Sequence, residues 1–169
     1  MKKNIILIGM MGCGKTTVGS LLVQRFDRPL VDTDALIEKR EGRSIPDIFA
    51  QDGEAYFRAL ELEVCREIGG QEGLIIACGG GLPTQDEAIA ALKQNGLVFW
   101  LDRDPGETYY GLDTAGRPLA QAGRGDFIRR YQDRAPVYRR WADRVIPIET
   151  WPEDTTELID MICKEVTDL

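Results

Sequence analysis

The stretch GMMGCGKTT, residues 9–17, decides the fold of this 169-residue chain. It follows an apolar run over residues 5–8 and precedes VGSLLVQRF, in which apolar residues recur at helical spacing. The stretch fits the Walker A pattern G-x-x-x-x-G-K-[ST], with Lys15 and Thr16 at its end. In that pattern, backbone N–H groups wrap nucleotide phosphates, the lysine contacts the β and γ oxygens, and the hydroxyl ligates magnesium. We therefore predict a nucleotide site; the alternative is a glycine-rich turn between strand and helix.

Strand and helix patterns alternate along the rest of the chain. Besides the strand over residues 5–8, we predict strands at 29–31, 74–77, 97–101 and 144–148. We predict helices over 15–26, 35–40, 45–51, 54–68, 86–94, 127–142 and 154–166, and a mobile glycine-rich loop over 111–125. This alternation favours a mostly parallel sheet with helices on both faces and ligands at the carboxyl ends of the strands.

The composition indicates one globular domain over residues 1–169 and excludes several functional classes. A net charge of −7 disfavours general affinity for nucleic acid or anionic membranes, and no apolar run approaches the ~18 residues of a membrane helix. The apolar start superficially resembles a leader, but cleavage before Cys13 would destroy the phosphate loop. No histidine is present, which excludes histidine-dependent hydrolases, and four unclustered cysteines indicate reduced thiols in the cytoplasm.

Positive charge is concentrated in one part of this acidic chain. Residues 117–144 contain eight arginines but only three aspartates. A local basic cluster on an acidic protein suits small anions better than a polymer, because a nucleic-acid surface needs a favourable overall charge. The alternative is that these arginines surround a solvated helix.

Two carboxylates follow the second predicted strand, in LVDTD. Asp32 and Asp34 lie two residues apart, so both side chains leave the same face while the chain remains extended. One suits the water shell of a magnesium ion, and the other suits the hydroxyl proton of a phosphoryl acceptor. The alternative is that the pair caps the following helix.

A helix face in GEAYFRALE carries Phe57, Arg58 and Glu61 on adjoining positions. Either Glu54 or Glu61 can hold Arg58, whose planar fork would then grip a substrate carboxylate. An ordinary surface ion pair is the alternative.

Three glycines follow the third predicted strand. They let a ligand lie against bare backbone amides, where any side chain would collide. The alternative is a plain turn. The three are Gly79, Gly80 and Gly81.

Six motifs in order resemble the shikimate kinase family. They are GMMGCGKTT, DTDALIEKREGRSIPDIF, DGEAYFRALE, CGGG, GRPLA and DRAPVYRRWAD, and the resemblance runs from about residue 4 to residue 145. The resemblance implies a P-loop fold of the nucleoside monophosphate kinase type, an α/β/α arrangement whose five parallel strands run in the order 2-3-1-4-5. It implies transfer of the γ-phosphoryl group of ATP to the 3-hydroxyl of shikimate, which gives shikimate 3-phosphate on the route to chorismate and aromatic amino acids.

The resemblance also implies roles for individual residues. The shikimate site takes Asp34, Phe57, Arg58, Glu61, Gly79, Gly80, Gly81 and Arg134. The ATP site takes Gly12, Cys13, Gly14, Lys15, Thr16, Thr17 and Arg117, the last from a lid over about residues 111–125. The resemblance assigns magnesium binding to Thr16 and Asp32. It assigns catalytic roles to Lys15, Asp34 and Arg117. The substrate-binding region spans about residues 33–62, and we expect a monomer whose partners are ATP and shikimate.

The adenine side departs from the family pattern. An arginine is common before the lid in this family, but ETYYGLDTAG has none, and ETWPEDTT lacks the basic residue that many members carry. Aromatic stacking by Tyr110 or Trp151 is our substitute hypothesis. Alternative functions are another small-metabolite kinase, such as a gluconate kinase, or an inactive nucleotide-binding module. Such a module is expected to have lost Lys15, Asp34 or Arg117, and none is lost.

Overall fold

The computed structural model describes residues 2–111 and 123–167 of the chain. Within them, five strands form one parallel sheet: β1 Asn4–Ile8, β2 Leu30–Asp32, β3 Ile75–Ala77, β4 Gly96–Arg103 and β5 Arg144–Ile148. Their order across the sheet is β2-β3-β1-β4-β5. The predicted parallel sheet and the strand order implied by the resemblance are both confirmed.

The central strand β1 is buried along its whole length. Successive side chains of a strand point to opposite faces, so Ile6 and Ile8 join one apolar core while Ile5 and Leu7 join another. A continuous apolar strand of this kind is typical of a parallel sheet covered by helices on both faces. The molecule therefore has two cores, one on each side of the sheet.

The helices in the described residues are α1 Lys15–Phe26, α2 Thr33–Glu41, α3 Ile45–Gly69, α4 Asp86–Lys93, α5 Pro105–Tyr110, α6 Arg124–Trp141 and α7 Thr156–Thr167. Side chains of α1 and α7 pack into the core that contains Ile5. Side chains of α2, α3, α4 and α6 pack into the core that contains Ile6. The helix predicted over residues 15–26 has the predicted bounds.

Helix α3 contains the two helices predicted over residues 45–51 and 54–68. They are joined at Gly53, whose φ of 84° and ψ of 174° are not helical. The kink there separates a first part, capped by the Ser44 side chain, from a second part that carries the acceptor-side candidates.

Two short elements were not predicted. Helix α5 starts with a proline and is capped by Asp104, whose side chain accepts from the Glu107 N–H at 2.8 Å. Such a helix is defined by its cap rather than by apolar periodicity. A single 3-10 turn, Leu82–Thr84, follows the glycine triplet. Most of the loop predicted over 111–125 lies outside the described residues, and α6 begins at Arg124, three residues before the predicted start.

No helix among the described residues is both long enough and apolar enough to cross a bilayer. All four cysteines are buried, and none of them forms a disulfide within the described residues, which agrees with the predicted reduced thiols.

Candidate active site

The phosphate loop joins the end of β1 to the start of α1. Gly9, Gly12 and Gly14 have φ values of 147°, 76° and 106°, which favour glycine. A Cβ on Gly9 would lie 2.7 Å from Cys13 Sγ. No side chain within the described part of the chain caps α1, so there the N–H groups of its first turn and its positive dipole end are open to an anion.

Lys15 is held at this loop by the loop's own backbone. Its Nζ donates to Gly9 O at 2.7 Å and to Met10 O at 2.8 Å. The Cys13 side chain is buried beneath, with Sγ 3.7 Å from Lys15 Nζ, so Cys13 can serve a nucleotide only through its backbone. The ammonium group thus lies at the phosphate loop and lines the cleft beside it, as the role of this lysine in the Walker pattern requires.

Asp32 has two roles that the sequence presented as alternatives. Its Oδ1 accepts from the Ala35 N–H at 3.0 Å and caps α2, as the alternative interpretation held. Its Oδ2 lies 3.4 Å from Thr16 Oγ1 on the phosphate loop. A carboxylate and a hydroxyl side by side are hard oxygen donors of the type that Mg²⁺ prefers, so these two residues fit a magnesium ion shared with phosphate.

Asp34 lies in the first turn of α2, which begins at Thr33. The chain is therefore not extended from Asp32 to Asp34, and the prediction that both side chains leave the same face of an extended chain does not hold. Its Oδ1 is buried and has no hydrogen-bond partner among the described residues. Burial, followed by the neighbouring Asp32 charge, raises the pKa of Asp34 to about 6, although Lys15 and Arg58 oppose this shift. An unpartnered carboxylate at this position can accept a hydrogen bond, or a proton, from a ligand hydroxyl.

The glycine triplet after β3, the glycine turn (Gly79, Gly80 and Gly81), packs against three charged side chains. None of the three glycines has a positive φ, so glycine is needed at these positions for the space it leaves and not for its backbone conformation. A Cβ on the first would lie 2.5 Å from a carboxylate oxygen, one on the second 3.2 Å from a guanidinium nitrogen, and one on the third would collide with another guanidinium. The side chain that faces Gly79 is that of Asp34, the one that faces Gly80 is that of Arg134, and the one that faces Gly81 is that of Arg58.

Arg58 is held by both glutamates that the sequence offered. Its Nη1 lies 2.6 Å from Glu61 Oε1, and its Nη2 lies 3.3 Å from Glu54 Oε1. Burial disfavours the guanidinium charge, but these partners outweigh that effect and raise the pKa of Arg58. Glu61 is fully buried; burial raises its pKa to about 7, although Arg58 opposes the shift. Glu61 therefore fixes Arg58 from behind.

Arg134, on α6, is only 7% exposed. Its Nη1 has no hydrogen-bond partner among the described residues, and burial together with the nearby Arg130 and Arg58 lowers its pKa. A buried, incompletely paired guanidinium favours the binding of an anion beside it.

These groups line one continuous cleft of about 450 Å³. The structure brings together the following predicted residues: Gly12, Gly14, Lys15, Thr16, Thr17, Asp32, Asp34, Phe57, Arg58, Glu61, Gly79, Gly80, Gly81 and Arg134. Arg117 lies outside the described residues. An apolar wall of Ile45, Pro46 and Phe49, at the start of α3, was not singled out from the sequence, which predicted only a helix over residues 45–51 there.

Three further residues support the site without having been predicted to do so. Thr33 Oγ1 accepts from the Gly79 N–H at 2.9 Å, and Gln85 Nε2 donates to Glu61 Oε1 at 2.9 Å. Tyr138 donates from its hydroxyl to Gly80 O at 2.6 Å. Each joins segments that are distant in sequence, so no local pattern could reveal these contacts.

The two aromatic candidates for the adenine side lie in different surroundings. Tyr110 is 78% exposed, with the Arg124 guanidinium over its ring. Trp151 packs against the phosphate loop, where a Cβ on Gly14 would collide with its ring. The Arg103 guanidinium lies 5.2 Å from the centre of the Trp151 ring and donates to Gly12 O at 3.1 Å.

Chemically, the cleft combines an anion site at a helix N-terminus with a second site of one carboxylate and two guanidinium groups. The first site suits the phosphates of a nucleotide. The second suits a small acid that also carries a hydroxyl group, because the guanidinium groups bind its carboxylate and Asp34 faces the hydroxyl.

Comparison with known proteins gives one family. The family model for shikimate kinase matches residues 11–165. The shikimate kinase of Dehalococcoides mccartyi is 39% identical over 169 residues, which covers 99% of this chain and 93% of that protein. The structure of shikimate kinase from Acinetobacter baumannii in complex with shikimate superposes with a TM-score of 0.90 at 34% identity, covering 99% of this chain and 94% of that one. A gluconokinase from Sinorhizobium meliloti reaches a TM-score of 0.58 at 12% identity, a likeness of fold alone.

Proposed function

The chain belongs to the shikimate kinase family, and from this premise we propose that its cleft transfers the γ-phosphoryl group of ATP to the 3-hydroxyl of shikimate. It is an ATP-dependent phosphotransferase with an alcohol group as acceptor, in the pathway to aromatic amino acids. The observation that carries the assignment of the site is the glycine turn, whose members contact Asp34, Arg134 and Arg58 in the same cleft as the phosphate loop.

On the donor side, the phosphates of ATP bind the N–H groups of residues 12–17 and the Lys15 ammonium. The open N-terminus of α1 and the position of Lys15 support this assignment. Thr16 and Asp32 would hold a Mg²⁺ ion, which would supply positive charge at the phosphate oxygens. Arg117, implied by the resemblance, adds a further cation at the transferred group.

On the acceptor side, Arg58 and Arg134 form a clamp for the shikimate carboxylate. We call these two residues the guanidinium clamp. Arg58 is fixed by Glu61 and Glu54, and Arg134 retains an unpaired Nη1, so the clamp has both rigidity and free donors. The open N–H groups of Gly80 and Gly81 bind hydroxyl groups of the ring, and Phe57 packs against the apolar side of the ring.

Asp34 orients the 3-hydroxyl and accepts its proton as the oxygen attacks the γ-phosphorus. The bond from that phosphorus to the leaving oxygen of ADP breaks in the same step. Because phosphoryl transfer proceeds through a loose transition state, positioning and charge contribute more than the basicity of Asp34.

For the adenine side we propose Trp151 rather than Tyr110. Trp151 is anchored on the phosphate loop by Gly14 and Arg103, whereas the Tyr110 side chain is largely in solvent. We also propose a single domain with a substrate-binding region over about 33–62 and a lid over about 111–125, and a cytoplasmic monomer.

The decisive experiment measures ADP release with shikimate, D-gluconate and nucleoside monophosphates as separate acceptors. We expect release that depends on shikimate and reaches background with the other two. Release that prefers gluconate would instead support a gluconate kinase, and equal release with and without any acceptor would indicate hydrolysis.

A further inference from the structure

We propose that the hydroxyl group of Tyr138 is a positioning group for the reaction: it fixes the Gly80–Gly81 peptide of the glycine turn and links that turn to Arg134 and to Met10 of the phosphate loop. The inference rests on the proposed use of Gly80, Gly81 and Arg134 in shikimate binding. Tyr138 does not line the cleft itself, so it acts through its neighbours and is not a catalytic residue.

Tyr138 is rigidly placed and remains a hydrogen-bond donor. Its side chain, on α6, is 0% exposed, and its ring packs against that of Trp100 with 5.7 Å between the ring centres. The hydroxyl donates to Gly80 O at 2.6 Å, a short O–H···O distance. Burial raises the pKa of Tyr138 to about 12, although Arg134 opposes the shift, so the hydroxyl keeps its proton at neutral pH.

This hydrogen bond determines where the next N–H group points. Peptide bonds are planar and the chain has no cis peptide among its described residues, so a C=O and the N–H that follows it point in opposite directions. With Gly80 C=O directed at Tyr138, the Gly81 N–H is directed away from α6. Glycine backbones rotate easily, and without this bond the Gly80 carbonyl would have no hydrogen-bond donor among the described residues to hold the Gly80–Gly81 peptide in this orientation.

The remaining polar groups of the glycine turn support the same conclusion. Gly79 O accepts from the Leu82 N–H at 3.1 Å, and Gly81 O accepts from the Thr84 N–H at 3.1 Å. With the Thr33 bond to the Gly79 N–H, the protein engages every carbonyl of the turn and one of its three N–H groups. Within residues 2–111 and 123–167, the other two N–H groups have no protein acceptor and remain available to a ligand.

The same hydroxyl also contacts the other two parts of the site. Met10, buried on the phosphate loop, has its Sδ 3.6 Å from the Tyr138 oxygen. Arg134 lies one helical turn before Tyr138, whose nearby hydroxyl opposes the lowering of the Arg134 pKa by burial. A Cβ on Gly80 would lie 3.2 Å from Arg134 Nη1 and 3.5 Å from Met11 N, so the three parts meet around one peptide. Tyr138 is therefore placed to keep the acceptor-binding groups in register with the phosphate loop.

The test compares Tyr138→Phe with Tyr131→Phe in the full chain. Tyr131 is a matched control because it lies on the same helix and donates from its hydroxyl at 2.6 Å, but to Asp102, which does not line the cleft. A lost hydrogen bond of ordinary strength corresponds to roughly a 10-fold effect. We expect Tyr138→Phe to raise the KM for shikimate about 10-fold and lower kcat, with the KM for ATP changed less than about twofold. Tyr131→Phe should leave the KM for shikimate, the kcat and the KM for ATP each within about twofold of the wild-type value.

A rescue experiment separates positioning from stability. At position 138, p-aminophenylalanine retains a donor and p-methylphenylalanine fills similar space without one. Recovery of the KM for shikimate with the amino compound alone supports the proposal, and this pair also serves if the phenylalanine variant does not fold. Equal behaviour of the two compounds, equal effects on both KM values, or the same loss in Tyr131→Phe would overturn it.

The inference and the proposed function fail in different ways. Wild-type protein that releases no ADP in the presence of shikimate rejects the proposed function, and the inference with it. Wild-type protein that is active, with Tyr138→Phe unchanged in its KM for shikimate, rejects only the role of Tyr138.

Discussion

Gly79 lies against the carboxylate of Asp34 so closely that a Cβ on Gly79 would be 2.5 Å from Asp34 Oδ1. Real Cβ atoms do not approach an oxygen so closely, so one of the two residues must move when a side chain is added. The backbone of Gly79 is held on both sides, by the Thr33 hydroxyl and by Leu82. The residue that moves is therefore Asp34, which the proposed mechanism requires to stay in place.

We accordingly expect Gly79→Ala to lower kcat, by an amount that approaches the loss in Asp34→Asn, roughly 100-fold for a misplaced general base. Nucleotide binding should be retained, because the phosphate loop is not touched. Steady-state kinetics and nucleotide titration give the measurement. Gly70→Ala is the control, since a Cβ there meets nothing closer than 3.6 Å; unchanged kcat in Gly79→Ala would contradict the steric argument.

Arg134→Lys should weaken shikimate binding and leave ATP binding nearly unchanged. A lysine keeps the charge but loses the planar fork that binds a carboxylate with two hydrogen bonds, and charge-assisted bonds of this kind correspond to about a 10- to 100-fold change in affinity. Separate KM values for the two substrates provide the readout. Arg140→Lys, on the exposed side of the same helix where it pairs with Asp86, is the matched control. Equal changes in both KM values would remove Arg134 from the guanidinium clamp.

Trp151→Ala should raise the KM for ATP several-fold, while Tyr110→Ala should not. Base stacking on an aromatic ring is worth ~1–3 kcal/mol, and only Trp151 is fixed at the phosphate loop. The KM for shikimate should stay constant in both variants. The opposite ranking of the two variants would assign the adenine contact to Tyr110.

Glu61 should make the protein less stable as the pH rises from about 4.5 to about 7. Its pKa is raised to about 7 by burial, so in this interval the folded state keeps a proton that the unfolded state has released. The free energy of unfolding therefore falls with rising pH, by on the order of 2 kcal/mol for this group.

Denaturant unfolding at pH 5 and pH 8 measures the effect. Glu61→Gln should show a smaller decrease in the free energy of unfolding between the two pH values than the wild type does. Glu67→Gln is the control on the same helix, because Glu67 is exposed and paired with Arg40, which lowers its pKa. If Glu61→Gln and wild type lost the same stability over this range, Glu61 would not titrate as described.

The phosphate loop could be predicted from sequence because its information is local. Three glycines with positive φ, one lysine and one hydroxyl occupy eight consecutive positions, and the loop geometry follows from them. The cap role of Asp32 was recognised for the same reason, but as an alternative to a role at the magnesium site. The two oxygens of its carboxylate in fact point to different partners, and only the packing of β2 beside α1 reveals this.

The acceptor side shows the limit of reading a sequence locally. The residues themselves indicated Asp34 and Arg58, and the resemblance added Arg134, but the structural reason for three consecutive glycines lies in contacts across 23 to 54 positions of the chain. Tyr138 reads as an ordinary aromatic residue on a helix face, and its hydroxyl acquires a role only when α6 packs beside the glycine turn. Arg103 likewise lies just beyond the strand predicted over residues 97–101 and meets Trp151 only in the fold.

The pairing of β1 with β3 has a consequence for ligand design. Leu7 pairs with Ala77, and the Cys78 N–H donates to Leu7 O. The phosphate loop and the glycine turn therefore leave adjacent strands at the same level. Neighbouring strands are held about 4.8 Å apart, a spacing that no loop motion alters. The sheet thus sets a constant distance between the two substrate sites. A bisubstrate compound that joins a hydroxy acid to a nucleotide therefore needs a short, stiff linker. Every atom added to that linker displaces one end of the compound from its binding site.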